Sequence, residues 1–140
     1  MRLWHFELID VLPKLQLISQ WRECLAIKRG LERNTLNHGL VNYVKKYPTA
    51  LLYFYTYEVA KEMDKRGINF QRKYLEEIED FCMRCPLNTD VTYPEHNKRY
   101  LRECLYNLEE KAVRGMIPKE EWKKIYEKYK DEFELWEGEK

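Results

Sequence analysis

Pro13-Lys14-Leu15-Gln16-Leu17-Ile18-Ser19-Gln20-Trp21-Arg22-Glu23-Cys24-Leu25-Ala26-Ile27-Lys28-Arg29 is the stretch from which the rest of the chain is read. Leu12, Leu15, Leu17, Ile18, Trp21, Cys24 and Leu25 recur near helical spacing, which makes one stripe of a helix apolar. Pro13 suits a first turn, where a missing N–H costs no intrahelical bond. The spacing predicts a helix over 13–29, closed by Gly30 and the polar run Glu32-Arg33-Asn34. Its other face carries Gln16, then Ser19 and Gln20, then Glu23, with Arg22 one step around. Working outward, Pro48-Thr49 opens an apolar-periodic stretch that stops at Lys65-Arg66-Gly67, predicting a helix over 49–66. A short helix is predicted over 71–82, and a longer one over 95–113, after Tyr93-Pro94, with Leu101, Cys104, Leu105 and Leu108 inward. Another starts at Pro118, with Glu120-Glu121 in its first turn and Trp122, Ile125, Tyr126 and Tyr129 as an aromatic stripe. Asn37-His38-Gly39 is expected to be a turn or helix-leading loop, and Cys82–Thr92, containing Pro86, Asn88 and Asp90, a long loop. Strand alternation, internal repeats and low-complexity segments are missing from the sequence. The expected fold is all-α: a compact single domain of three to five packed helices over residues 1–130, followed by an acidic tail at 131–140.

A chain of 140 residues is long enough for one sizeable core and short for two. With 14% aromatic residues, and only 5 Gly and 5 Pro, it is not a disordered or loop-rich composition. A net charge of +1 does not announce a nucleic-acid ligand, but its distribution is uneven. Residues 1–50 hold 8 Lys/Arg against 4 Asp/Glu and residues 98–130 hold 10 against 6, while residues 131–140 carry 5 acids and one Lys. Two mildly basic segments are therefore masked by the tail and by the acidic stretch Glu76–Asp80. No apolar run approaches the roughly 18 residues of a membrane span, and Met1-Arg2-Leu3-Trp4-His5 lacks the charged-then-apolar order of a signal peptide, so a cytoplasmic protein with no membrane partner is expected. Without an export signal, Cys24, Cys82, Cys85 and Cys104 point to reduced thiols or a metal site rather than a disulfide framework. Cys82-x-x-Cys85 is half of a zinc pattern with no second pair nearby, and Cys24 and Cys104 fall on apolar stripes. No metal and no cofactor is expected, although metal binding or a disulfide at Cys82 and Cys85 stays open.

Chemistry is suggested locally by Trp21-Arg22-Glu23, a carboxylate beside a cation on the polar side of the first helix and close in sequence to a polar N-terminus. An exposed pair of this kind is by itself commonly only a solvated ion pair. Gln16-Leu17-Ile18-Ser19-Gln20-Trp21-Arg22-Glu23, however, resembles the helix-one motif of the pyrimidine-dimer DNA glycosylase/AP-lyase family of the phage endonuclease V type, where an aromatic-Arg-Glu triplet follows a small apolar segment. Further similar segments follow in order: Gly39-Leu40-Val41-Asn42-Tyr43, Lys65-Arg66-Gly67-Ile68-Asn69, Tyr93-Pro94-Glu95-His96, Asn107-Leu108-Glu109-Glu110-Lys111 and Trp122-Lys123-Lys124-Ile125-Tyr126. The resemblance is collinear from residue 1 to about 130, and Met1-Arg2-Leu3-Trp4-His5 is similar to the opening of a cellular branch.

The resemblance implies the family's helical fold and a monomeric, nucleoid-associated repair enzyme whose partner is double-stranded damaged DNA. It implies that the N-terminal α-amine attacks the sugar C1′ to give a Schiff base. An α-amine, with an ordinary pKa of about 7.7–8.0, has a useful neutral fraction near neutrality, whereas an ordinary Lys at about 10.4 has little. Because the large Arg2 follows Met1, the initiator is expected to stay and Met1 to supply the amine, where phage members expose Thr instead. Glu23 matches the essential carboxylate, which stabilises charge on the sugar, helps protonate the opened ring oxygen and takes the C2′ proton for β-elimination. Arg2 and Arg22 match phosphate-holding cations. Gln16 stands where the phage pattern has His, and Ala26 where it has Arg, leaving Lys28 and Arg29 to take over phosphate contact. His5 is placed to tune the amine or touch phosphate, or to be a satisfied structural residue. Lys45, Lys46, Lys123, Lys124 and Lys128 could track the backbone while Tyr126 or Tyr129 stacks, yet a solvated cationic face over an aromatic core explains the same letters. Rival readings are a noncatalytic DNA- or protein-binding module on the same fold and a zinc-stabilised interaction protein.

Overall fold

Helix α2 (Ala50–Lys65) runs through the middle of the molecule, burying Leu51, Leu52, Tyr55, Thr56, Val59, Ala60 and Met63 on several sides. The computed structural model describes residues 1–84 and 92–133. Cys85 and the centre of the expected 82–92 loop lie outside the described residues, as do residues 134–140 of the expected acidic tail. The remaining α-helices are α1 (Lys14–Glu32), α3 (Arg72–Cys82), α4 (Lys98–Val113) and α5 (Lys119–Lys128). Two 3₁₀ segments, Phe6–Val11 and Asn42–Lys46, connect them. The all-α expectation holds: strand is absent among the described residues, and the helices pack around one core that takes in residues from Leu3 to Phe133. Among the described residues no helix is long and apolar enough to cross a membrane.

Helix ends follow local chemistry, with two corrections. Gly30 does not stop α1, which continues to Glu32. The stop is Asn34, at φ 55, with Asn34 N–H donating to Leu31 O at 3.3 Å and Thr35 N–H to Gly30 O at 2.9 Å. This is the paired 5→2 and 6→1 bonding that closes a helix through a left-handed residue, a position Asn tolerates. Gly30 serves close packing instead, since a Cβ there would lie 3.1 Å from Cβ of Leu36 as the chain folds back. The Lys65-Arg66-Gly67 stop does behave as expected, with Gly67 at φ 73 and Ile68 N–H reaching Met63 O at 2.8 Å. Arg66 then adds a tertiary role, donating to Leu12 O at 2.7 Å and Asp10 O at 3.2 Å at the carbonyl end of the first 3₁₀ segment.

The predicted start of the fourth helix is also corrected. Asn97 is its N-cap, accepting Tyr100 N–H at 2.9 Å, so Glu95 and His96 precede α4 rather than belong to it. Released from helical geometry, His96 turns into the core, where it is 6% exposed. Helix α5 lies across the start of the chain. Glu121 accepts Lys14 N–H at 3.1 Å, Lys128 bonds Asp10 at 2.7 Å and Glu7 O at 3.1 Å, and Tyr129 reaches Glu7 O at 3.3 Å. The Trp122 and Tyr126 rings pack on Phe133, with Trp122 edge-on and Tyr126 stacked and partly exposed.

Candidate active site

The polar face of α1 becomes one wall of a cleft because Gln16, Ser19 and Glu23 are separated by three and four residues. They stack over roughly two helical turns, about 10 Å along the axis. Met1, Arg2 and Trp4 form a second wall, Asn107 and Lys111 of α4 a third, and Leu40 the lip, around an open volume of about 390 Å³. The structure thus brings together Met1, Arg2, Gln16 and Glu23, residues that sequence reasoning had singled out. Ser19, Leu40, Asn107 and Lys111 were not picked out as site residues. The Asn107-to-Lys111 segment carried a motif match, but only folding shows that two of its side chains, one helical turn apart, face this cleft.

The Glu23 carboxyl is half-buried, and burial pushes it up from its ordinary value. Opposing that, in falling order, are the N-terminal ammonium, the Arg2 backbone N–H and the side chains of His38 and Arg2, all of which favour the ionised form. An acid that is partly desolvated and faces cations is suited to releasing and regaining a proton. Arg2 also lays its guanidinium over the Trp4 ring, 5.3 Å from the centroid, which orients it at the cleft edge. Among the described residues, Gln16 Oε1, His38 Nδ1 and, away from the cleft, Glu95 Oε1 are buried without a hydrogen-bond partner. A buried polar atom left unpaired is costly, and a ligand donor entering the cleft could satisfy the Gln16 oxygen.

Beneath the cleft, the segment Arg2–Phe6 is held by buried polar side chains. Gln20 Nε2 donates to Arg2 O at 2.9 Å, and Gln20 Oε1 accepts Trp4 N–H at 2.7 Å. The Tyr55 hydroxyl lies 2.5 Å from Trp4 O, and that of Tyr100 donates to Leu3 O. Phe6 N–H donates to His96 Nδ1 at 3.2 Å, which leaves the proton of the neutral ring on Nε2, facing the Tyr43 oxygen 2.7 Å away. Burial holds His96 down at about 3, keeping that neutral ring in place near pH 7. Gln20 had been placed on the polar face with Glu23; it is completely buried, whereas Leu15, placed on the apolar stripe, is 66% exposed. A single helix pattern could not foresee that the N-terminal segment covers one side of α1 and leaves Leu15 uncovered.

The other expected contacts are scattered. His5 is buried, its Nδ1 accepts Glu7 N–H at 3.1 Å to cap the first 3₁₀ segment, and burial lowers its pKa; it does not line the cleft. Arg22 and Arg29 are exposed on α1. Lys28 pairs with Glu32 at 2.5 Å. Lys45 and Lys46 are exposed at the end of the second 3₁₀ segment. Lys123 lies 3.9 Å from Glu127, and Lys124 borders a separate surface groove with Glu62, Lys65, Arg66 and Glu121. Cys24 and Cys82 are buried thiols pushed up to about 12 by burial. Among the described residues no group of three or more His, Cys, Asp and Glu is placed to hold a metal ion.

An all-helical domain with a carboxylate, an N-terminal amine and cations around one open cleft has the features of an acid–base enzyme for an anionic substrate. A family model described as pyrimidine dimer DNA glycosylase matches residues 1–76, the part of the chain that includes Met1, Gln16, Gln20 and Glu23. The chain belongs to that family, whose members are DNA-repair glycosylases acting on DNA. Neither a curated protein nor a solved structure matches it.

Proposed function

We propose that this protein is a bifunctional DNA glycosylase and AP lyase that removes a damaged pyrimidine and then nicks the strand, with the α-amine of Met1 as nucleophile and Glu23 as the moving acid and base. The observation carrying this reading is that Met1 and Glu23 line one cleft, near enough for the N-terminal ammonium to favour the ionised form of the carboxyl. The neutral amine uses its lone pair to bond C1′ as the C1′–base bond breaks, and the base leaves with that electron pair and takes up a proton. The nitrogen, now an ammonium, gives a proton to ionised Glu23, and the lone pair so restored opens the sugar ring; O4′ takes that proton from Glu23, and an iminium results. Ionised Glu23 next takes the C2′ proton, whose electron pair expels the 3′ phosphate, and water releases the amine from the product.

Arg2 and Lys111, at the cleft, and Arg22, exposed on α1, would hold the flanking phosphates of duplex DNA. Gln16, with its unpaired oxygen at the cleft, would accept a hydrogen bond from the displaced nucleotide or its partner. Displacing a nucleotide costs a few kcal/mol and least at a damaged pair, so an open cleft suits an already weakened site. Borohydride added during reaction with an abasic or dimer-containing duplex should trap one covalent protein–DNA adduct whose DNA-linked peptide begins at Met1. Selective acetylation of the α-amine should abolish trapping. Active protein that cannot be trapped, or that is trapped through an internal Lys, overturns this assignment.

A further inference from the structure

We infer that Gln20 is a positioning residue that ties the nucleophile's backbone to the catalytic carboxylate, so that amine and acid keep one relative geometry. The inference rests on the Schiff-base reading above and adds to it a residue that touches neither substrate nor reacting atoms.

Gln20 is completely buried, and both polar atoms of its amide have partners. Oε1 accepts Trp4 N–H at 2.7 Å and has the Tyr55 hydroxyl at 2.8 Å; Nε2 donates to Arg2 O at 2.9 Å and to Glu23 Oε2 at 3.1 Å. The orientation of the amide is not arbitrary. A backbone N–H can only donate and a carbonyl can only accept, so Trp4 demands the oxygen and Arg2 demands the nitrogen. Arg2 O and Trp4 N–H project to the same side of an extended segment, and one carboxamide offers donor and acceptor at matching spacing, much as a neighbouring strand would. Its second N–H is then directed at Glu23, one helical turn along α1. One side chain therefore bonds both to the residue after the nucleophile and to the acid.

Two consequences follow for chemistry. Losing the bond to Arg2 O loosens the segment that carries the Met1 amine, and misplacement by about 1 Å can cost roughly 100-fold in rate. Losing the bond to Glu23 removes a donor that favours its ionised form, so the acid limb of the reaction moves to higher pH. The other charged groups acting on Glu23 are the N-terminal ammonium, Arg2 and His38, with Lys111 on the facing wall; Gln20→Met leaves all of them as they are, whereas Gln20→Glu adds a second carboxyl beside Glu23.

The test is the single-turnover rate of borohydride trapping on an abasic duplex across pH 5–9 for wild type, Gln20→Glu and Gln20→Met. Gln20→Glu keeps the shape and the acceptor facing Trp4 but replaces the donor; Gln20→Met removes all the bonds. Both should trap roughly 10- to 100-fold more slowly at pH 7 with duplex affinity nearly unchanged, and both should shift the acid limb upward, Gln20→Met through the lost donor alone and Gln20→Glu further through its added carboxyl. Ile125→Val, a core change in α5, calibrates lost stability alone and should leave the limb in place. Trapping within twofold of wild type, or slowing with an unmoved limb, overturns the inference. A measurement on the unaltered protein covers variants that fail to fold: the Gln20 side-chain amide protons should resist solvent exchange, and one should follow the titration of Glu23 by NMR. An amide that exchanges freely or ignores that titration also overturns it. If wild type is never trapped, the Schiff-base reading falls, while the amide titration still decides whether Gln20 couples Arg2 to Glu23.

Discussion

The cleft wall and helix α5 are both rich in cations, yet those cations face different partners. At the cleft, Arg2, Lys111 and Met1 line the same opening as one half-buried carboxylate. On α5, Lys128 is held by Asp10 and Glu7 O, Lys123 approaches Glu127, and Glu121 caps the Lys14 N–H. A cation paired within 4 Å releases few counterions on meeting phosphate, so density of Lys along a segment is a poor guide to DNA contact. Helix α5 acts as a strap over the start of the chain, whereas no ion pair holds Arg2 or Lys111 at the cleft among the described residues. The contrast extends below the surface, because buried hydrogen bonds support the cleft's N-terminal wall while mostly exposed ones fasten the strap.

The largest test of this contrast is Glu23→Gln. Nicking of an abasic duplex should fall by on the order of 10²–10⁴-fold, with duplex affinity changed by no more than roughly fivefold, in single-turnover and fluorescence-anisotropy measurements. A small loss of nicking would remove Glu23 from the chemistry, and wild type that binds without nicking would favour a module that only binds DNA. The next effect is on acid stability. The unfolded chain takes up a proton at His96 near its ordinary 6.5, while the native ring holds out to about 3. In that window the unfolded state binds more protons, so this contribution is complete above about 6.5 and is lost toward about 3, at up to about 1.4 kcal/mol per pH unit. The lowered pKa of His5 acts in the same direction. Urea unfolding between pH 4.5 and 7 should show this slope, and His96→Gln, which can still accept from Phe6 and donate to Tyr43, should flatten it by about one proton's worth. An unchanged slope would show that the wall under the amine does not depend on a neutral His96.

Smaller changes separate the two surfaces directly. Lys111→Ala should weaken binding to abasic duplex by roughly 3- to 10-fold at moderate salt and reduce the log–log salt slope by about 1. Lys128→Met should leave the slope as it is and cost about 0–1 kcal/mol of stability, since its pair with Asp10 is largely exposed. If Lys128 carried the salt dependence and Lys111 did not, the roles assigned to cleft and strap would be exchanged.

Local signals in the chain were enough for five helices, for the stop at Gly67 and for placing Glu23 on the face opposite most of the apolar stripe of α1, because periodicity and capping act over a few residues. The same reasoning misplaced the end of α1, since the use of Gly30 depends on Leu36 folding back upon it. It also gave Gln20 to solvent and Leu15 to the core, because the segment that buries Gln20 arrives from 16 residues away. His96 acquires its place through Phe6, 90 residues earlier, and Tyr43, 53 residues earlier, and Lys111 comes to line a cleft with Met1 and Arg2 only because the chain folds back. By itself the sequence determined the helices and the carboxylate's approximate face. Only the tertiary structure decided that Met1, Arg2 and Lys111 line the same cleft as that carboxylate, because this depends on hydrogen bonds and packing between elements far apart along the chain.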